Sequence, residues 1–109
     1  MKHVTYAEKS VLTGTRVADL LMQYATELAG RGVSNNVSVR VLGPDGNDAD
    51  ATFLLGPATT LMNESATTEL PDPDNADAER YLADRLDEMS RSHNATSSAG
   101  EALDLPSDY

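Results

Sequence analysis

The side chains in this sequence that could do chemistry are mostly carboxylates. No lysine or arginine occurs between Arg40 and Arg80, and nine acids lie in that interval: Asp45, Asp48, Asp50, Glu64, Glu69, Asp72, Asp74, Asp77 and Glu79. Clustered carboxylates can ligate a divalent cation, act as a general acid and base, or bind the cationic groups of a partner. The spacing of the acids decides between these chemistries.

The run from Asp45 to Asp50 resembles a calcium loop only superficially. An EF-hand loop needs oxygen ligands at positions 1, 3 and 5, glycine at position 6 and glutamate at position 12. A loop that starts at Asp45 has Ala49 at position 5, and one that starts at Asp48 has Phe53 at position 6. Both registers fail, so the pattern favours a solvated hairpin turn and no metal site.

Asp72 and Asp74 could form a carboxylate pair, but they stand between prolines just before a predicted helix. Acids there cap the helix and interact favourably with its dipole. His3 and His93 show no spacing that suggests a catalytic pair, and the chain has no cysteine, which excludes thiol catalysis and zinc–thiolate sites. The sequence therefore predicts no catalytic, cofactor-binding or metal-binding residue and favours a non-enzymatic protein.

The formal net charge of −10 excludes several partners. Nucleic acids and anionic lipid headgroups are bound through lysine and arginine, so an acidic surface repels both. No stretch reaches the roughly 20 apolar residues of a membrane span. We expect a cytoplasmic protein that binds neither nucleic acid nor membranes, and the excess of arginine over lysine is typical of high-GC bacterial coding.

Apolar periodicity predicts a small α+β domain. A stripe of apolar residues at helical spacing after Thr15 predicts a first helix. A hydroxyl from the segment Thr13–Thr15 would cap its start, and the glycines of the segment Gly30–Gly32 would end it. Alternating residues predict strands, and Pro44 and Gly46 mark a turn between two of them. The predicted elements are a strand at 3–6 that continues or resumes at 10–12, strands at 37–42, 51–55 and 59–62, and a second helix from about Ala76 to Arg91.

Together these elements predict a two-layer α+β fold of order β-α-β-β-β-α. The antiparallel sheet would have three to four strands, with both helices packed on one face. We expect one domain over residues 1–92 and a disordered acidic tail over residues 93–109, because the tail has few apolar residues to bury. A core of this size is marginal, which favours a homodimer through a sheet edge or Val33, Tyr6 and Leu42.

The helix–strand–strand–strand–helix order from Thr15 to Arg91 resembles that of double-stranded RNA-binding domains, in element order only. That family carries a basic cluster at the start of its last helix. This chain has Asp74, Asn75, Asp77 and Glu79 there. Charge therefore contradicts RNA binding.

These observations predict a small acidic module that binds a basic protein partner or itself. The candidate partner-binding residues are the acids of the turn and linker together with the apolar residues of the tail: Asp45, Asp48, Asp50, Asp72, Asp74, Leu103, Leu105 and Tyr109. One alternative is an inhibitor that mimics nucleic acid with acids spaced like phosphates. The other is an enzyme or small-ligand binder with a pocket near Thr59, Thr60, Met62 and Tyr81.

Overall fold

The computed structural model describes residues 1–100, with side chains as far as Arg91. Within these residues, five strands and two helices follow one another. They are β1 (Lys2–Tyr6), β2 (Lys9–Thr13), α1 (Thr15–Arg31), β3 (Asn35–Leu42), β4 (Asp48–Leu55), β5 (Leu61–Ser65) and α2 (Ala76–Gly100). The α+β class agrees with the sequence prediction.

All the strands form one antiparallel sheet in the order β4-β3-β2-β1-β5. The predicted count of three to four strands and the order β-α-β-β-β-α are wrong, because β1 and β2 are separate strands of a hairpin. Their turn at Ala7 has a φ of 56° without the glycine or asparagine that usually marks such a turn. The strand predicted at 59–62 is β5, and it does not continue the sheet beside β4, as its place in the sequence would suggest, but pairs with β1.

Helix α1 follows the predicted apolar stripe and ends at Gly32, whose φ of 70° is the left-handed conformation that glycine adopts without steric cost. Its start differs from the prediction. The N-cap residue is Gly14, which makes no side-chain cap. The Thr13 hydroxyl instead donates to the carbonyl oxygen of Arg40 at 2.9 Å, so it is used to join β2 to β3.

The sheet has an inner face toward the core and an outer face away from it. Cross-strand neighbours share a face, so the pairs Val37–Phe53 and Val39–Ala51 lie inside, and Arg40–Asp50 lies outside. The core combines the inner face with α1 and with two residues of α2: Val4, Val11, Val17, Leu21, Tyr24, Leu28, Val37, Val39, Val41, Phe53, Leu55, Leu82 and Met89.

The sheet is strongly curled. In a flat sheet β1 and β4 would lie about 14 Å apart, since neighbouring strands are about 4.8 Å apart. The rings of Tyr6 on β1 and Phe53 on β4 nevertheless meet edge to face, with centroids 5.6 Å apart. The Tyr6 hydroxyl also donates to the Leu54 carbonyl oxygen at 3.1 Å. The end of the β1–β2 hairpin therefore curves over the inner face toward β4.

Helix α2 packs on α1 and extends to Gly100, beyond the predicted end at Arg91. The predicted disordered tail, 93–109, lies outside the residues whose side chains are described, and residues 101–109 lie outside the described residues altogether. That part of the domain division stays a prediction. Neither helix within residues 1–100 has the length and apolar composition that a membrane crossing requires.

Candidate protein-binding surface

Asn75 fixes the start of α2 against β3. The Arg40 backbone N–H donates to Asn75 Oδ1 at 2.7 Å, and Asn75 Nδ2 donates to the Arg40 carbonyl oxygen at 2.8 Å. Strand β2 pairs with β3 only at Leu12–Leu42, because the chain then leaves the sheet to begin α1. The buried Asn75 amide thus takes the place of a missing strand residue and satisfies the backbone of Arg40.

This contact also reveals which backbone groups of β4 point away from the sheet. Arg40 directs its N–H and C=O toward Asn75, so it does not exchange backbone hydrogen bonds with Asp50, its partner on β4. In an antiparallel pair, hydrogen-bonded and non-hydrogen-bonded pairs alternate. Asp48, Asp50, Thr52 and Leu54 therefore direct their backbone groups to the outer edge of β4. Within the described residues, no strand pairs with that edge.

Three acids surround a depression of about 230 Å³ between β3, β4 and the start of α2. They are Asp50, Asp74 and Asp77, with Ser38 and Arg40 beside them. Arg40 Nε lies 3.2 Å from Asp50 Oδ1, and Asp74 Oδ1 accepts from the backbone N–H of Ala76 at 3.1 Å. The structure thus brings together two acids predicted as partner-binding residues, Asp50 and Asp74, and adds Asp77.

The other predicted acids lie nearby or elsewhere. Asp48 is exposed at the start of β4, and Asp45 lies in the β3–β4 turn. Hydrogen bonds from the backbone and the side chain of Asn47 hold the pKa of Asp45 below its usual value, so this carboxylate stays charged at lower pH. Asp72 lies beside Gly14, before α2. Leu103, Leu105 and Tyr109 lie outside the described residues.

An apolar cleft of about 390 Å³ runs along β4 on the other side. Its walls include Tyr6, Val11, Val41 and Phe53, and Lys9 also lines it. Five consecutive residues of β4, 49–53, line the cleft. Because side chains alternate between faces, such a run indicates that the strand's backbone edge borders the cleft. Asp50 lines both the cleft and the acidic depression.

Sequence reasoning missed this cleft, as it missed Arg40 and Asn75. The pocket expected near Thr59, Thr60, Met62 and Tyr81 is not where the cleft lies. Thr59 instead donates to the Leu54 carbonyl oxygen, and Tyr81 accepts a hydrogen bond from Asn35. The small side chains of Ala49 and Ala51, alternating with acids, were the available signal of a strand that is open on its inner face.

A second polar cluster joins the two helices. Asn35 Nδ2 donates to the Tyr24 hydroxyl at 2.6 Å, and Arg85 Nε lies 3.4 Å from the same oxygen. Burial raises the pKa of Tyr24, but hydrogen bonding with Arg85, Asn35 and Tyr81 outweighs it and leaves the pKa below that of an ordinary tyrosine. Tyr24 is fully buried, which favours a structural role.

The residues expected at a dimer interface differ in their exposure. Leu42 is buried within the single chain, and Tyr6 packs on Phe53. Val33 is 48% exposed. Leu42 and Tyr6 thus pack within the single chain, whereas Val33 is accessible, and the homodimer stays a prediction.

Among residues 1–91, no group of three or more histidine, aspartate or glutamate side chains is placed to hold a metal ion. No protein-family model matches this chain, and neither a curated protein nor a solved structure matches it.

Proposed function

We propose that this chain is a non-enzymatic binding module whose acidic surface binds a basic segment of a partner protein. The acidic surface comprises Asp48, Asp50, Asp74 and Asp77. The observation that carries the proposal is the convergence of Asp50, Asp74 and Asp77, from two separate parts of the sequence, on one depression. We take the cytoplasm as its place of action, as the sequence predicts.

Electrostatics gives this surface its specificity for basic groups. Of the described residues, Arg40 is the one cation that lines the depression, and it already pairs with Asp50. Asp77 pairs with Arg80. Asp48 and Asp74, which make no ion pair among the described residues, are the carboxylates most open to lysine and arginine side chains of another molecule. Complementary charges speed encounter and set register more than they increase affinity, so binding should weaken as salt is added.

The nucleic-acid-mimic alternative has less support. A mimic needs acids spaced along one face like phosphates, but arginines interrupt the acids of this chain. Arg40 pairs with Asp50, Arg80 with Asp77, and Arg16 with Glu79.

The apolar cleft favours a small-ligand binder as a second candidate. Its volume of about 390 Å³ lies within the range of roughly 300–1,000 Å³ typical of ligand sites. A ligand that binds the native state raises the melting temperature. A thermal-shift screen with small apolar metabolites would support this candidate if a compound raises the melting temperature progressively as its concentration is increased.

The test of the main proposal is fluorescence anisotropy with a labelled lysine-rich peptide. The test variant is Asp48→Asn/Asp50→Asn/Asp74→Asn. The control, Glu8→Gln/Glu64→Gln/Asp84→Asn, removes three exposed acids that make no ion pair among the described residues. Each exposed pair is worth about 0.2–1 kcal/mol, so the test variant should lose affinity by about tenfold.

The control should bind the peptide nearly as well as the original chain, because its three acids lie outside the acidic surface. Both variants change the net charge equally, so overall charge cannot explain a difference between them. An equal loss of affinity in both variants would mean that the peptide responds only to the overall charge of the protein. That result, or binding that does not weaken with salt, would refute a localised binding surface.

A further inference from the structure

Among residues 1–100, the outer edge of β4 has no pairing strand along a defined length. The backbone groups of Asp48, Asp50 and Thr52 point to that edge, as the pairing of Arg40 with Asn75 requires. At Leu54 the edge closes, because the carbonyl oxygen of Leu54 accepts hydrogen bonds from the hydroxyls of Tyr6 and Thr59. The open length from Asp48 to Thr52 suits a short extended peptide.

The apolar cleft lies along the same length. Ala49, Ala51 and Phe53 face inward, between the outward-pointing backbone groups. A strand added to β4 would direct alternate side chains into the cleft, because cross-strand neighbours share a face. A compact ligand has no need of a backbone edge, whereas an extended peptide uses both the edge and the cleft.

Charge distinguishes the two faces of such a strand. On the outer face its side chains would lie beside Asp48 and Asp50, which attract cations. On the inner face they would meet the apolar walls and Lys9, which repels cations. Basic residues are therefore favoured outside and apolar residues inside.

We propose that β4 binds its partner by strand addition, and that the partner segment is an extended peptide in which basic and apolar residues alternate. This inference rests on the proposed function and adds the mode of binding. A second copy of β4 is a poorer occupant, because self-pairing would bring Asp48 and Asp50 toward the same acids of the other copy.

The test compares two labelled peptides of identical composition by anisotropy with the full chain. One alternates lysine and valine, and the other groups its lysines at one end and its valines at the other. Backbone hydrogen bonds and cleft contacts are available only to the alternating order, which should bind at least about fivefold more tightly.

Backbone methylation provides a control that does not alter the protein. In a strand added antiparallel to β4, the lysine amides face β4 and the valine amides face away, because a residue opposite Asp50 lies on the same face and exchanges backbone hydrogen bonds with it. Methylating the lysine amides should abolish the preference for alternation. Methylating the same number of valine amides should preserve it.

A variant of the cleft completes the experiment. Ala49→Lys places a long cationic side chain at an exposed position of the cleft, and Gln23→Lys makes the same charge change at an exposed position on α1. We expect only Ala49→Lys to weaken binding of the alternating peptide.

The outcomes separate the two proposals. Equal affinity for both peptide orders, or equal tolerance of both methylations, would overturn strand addition and leave the acidic surface as a binding site. If neither peptide binds at low salt, the proposed function fails as well.

Discussion

The side-chain amide of Asn75 pairs with the backbone of Arg40 as a neighbouring strand would, through hydrogen bonds of 2.7 and 2.8 Å. One residue thereby closes the gap that β2 leaves beside β3 and fixes the start of α2. The same contact sets which groups of β4 face the open edge, so it connects the stability of the fold to the proposed binding mode.

Asn75→Ala should destabilise the protein by about 2–3 kcal/mol, because it leaves the N–H of Arg40 without its partner and removes one donor to the carbonyl. Asn75→Asp should also destabilise it, since a carboxylate oxygen would replace the donor that faces the Arg40 carbonyl. Urea unfolding followed by circular dichroism measures both changes. Asn36 is an exposed asparagine on β3, the strand that carries Arg40, and Asn36→Ala should change the free energy of unfolding by less than about 0.5 kcal/mol. If Asn36→Ala destabilises the protein as much as Asn75→Ala does, the role of Asn75 is contradicted.

Tyr6 holds the curl of the sheet through its ring and its hydroxyl. Tyr6→Phe should cost only about 0.5–1 kcal/mol, because Thr59 still donates to the Leu54 carbonyl oxygen. Tyr6→Ala should cost about 2 kcal/mol or more, since it also removes the edge-to-face contact with Phe53. The same unfolding measurement applies. Equal effects of the two substitutions would show that the ring contributes little.

Tyr24 should ionise at a lower pH than an ordinary tyrosine, whose pKa is about 10. The folded-state pKa lies below the unfolded value, so ionisation of Tyr24 stabilises the fold as the pH rises through the folded pKa, and that contribution is lost as the pH falls through it. Titrating the near-ultraviolet absorbance of phenolate measures the shift.

Two substitutions assign that titration. Tyr24→Phe should remove the part of the absorbance change that occurs below the pH at which ordinary tyrosines ionise, which we call the early phase. Arg85→Gln should move the early phase to higher pH, because the guanidinium that favours the phenolate is lost. An unchanged titration in Tyr24→Phe would mean that another tyrosine gives the early phase.

Features encoded by short-range patterns were predictable from the sequence. The apolar stripe of α1 and its glycine terminus gave a helix within one residue of its observed end, and Pro44 and Gly46 marked the turn between β3 and β4. Local patterns also identified Asp50 and Asp74 as exposed acids.

Features that depend on long-range contacts were not predictable. The Ala7 turn lacks the usual turn residues, so the β1–β2 hairpin was left open between one strand and two. The pairing of β5 with β1 joins distant segments. Asn75 resembles an ordinary cap within its acidic linker, and only the folded chain brings its amide to Arg40. The cleft likewise exists only because the curled sheet brings Tyr6 to Phe53.

Amide hydrogen exchange with and without the alternating peptide tests the binding mode most directly. In the free protein, the backbone amides of Asp50 and Thr52 should exchange quickly, because they face the open edge, while those of Ala49 and Ala51 should be protected by β3. Saturating peptide should slow exchange at Asp50 and Thr52 specifically. If these two amides keep their exchange rates while the peptide is bound, the peptide does not add a strand to β4, and the account is wrong.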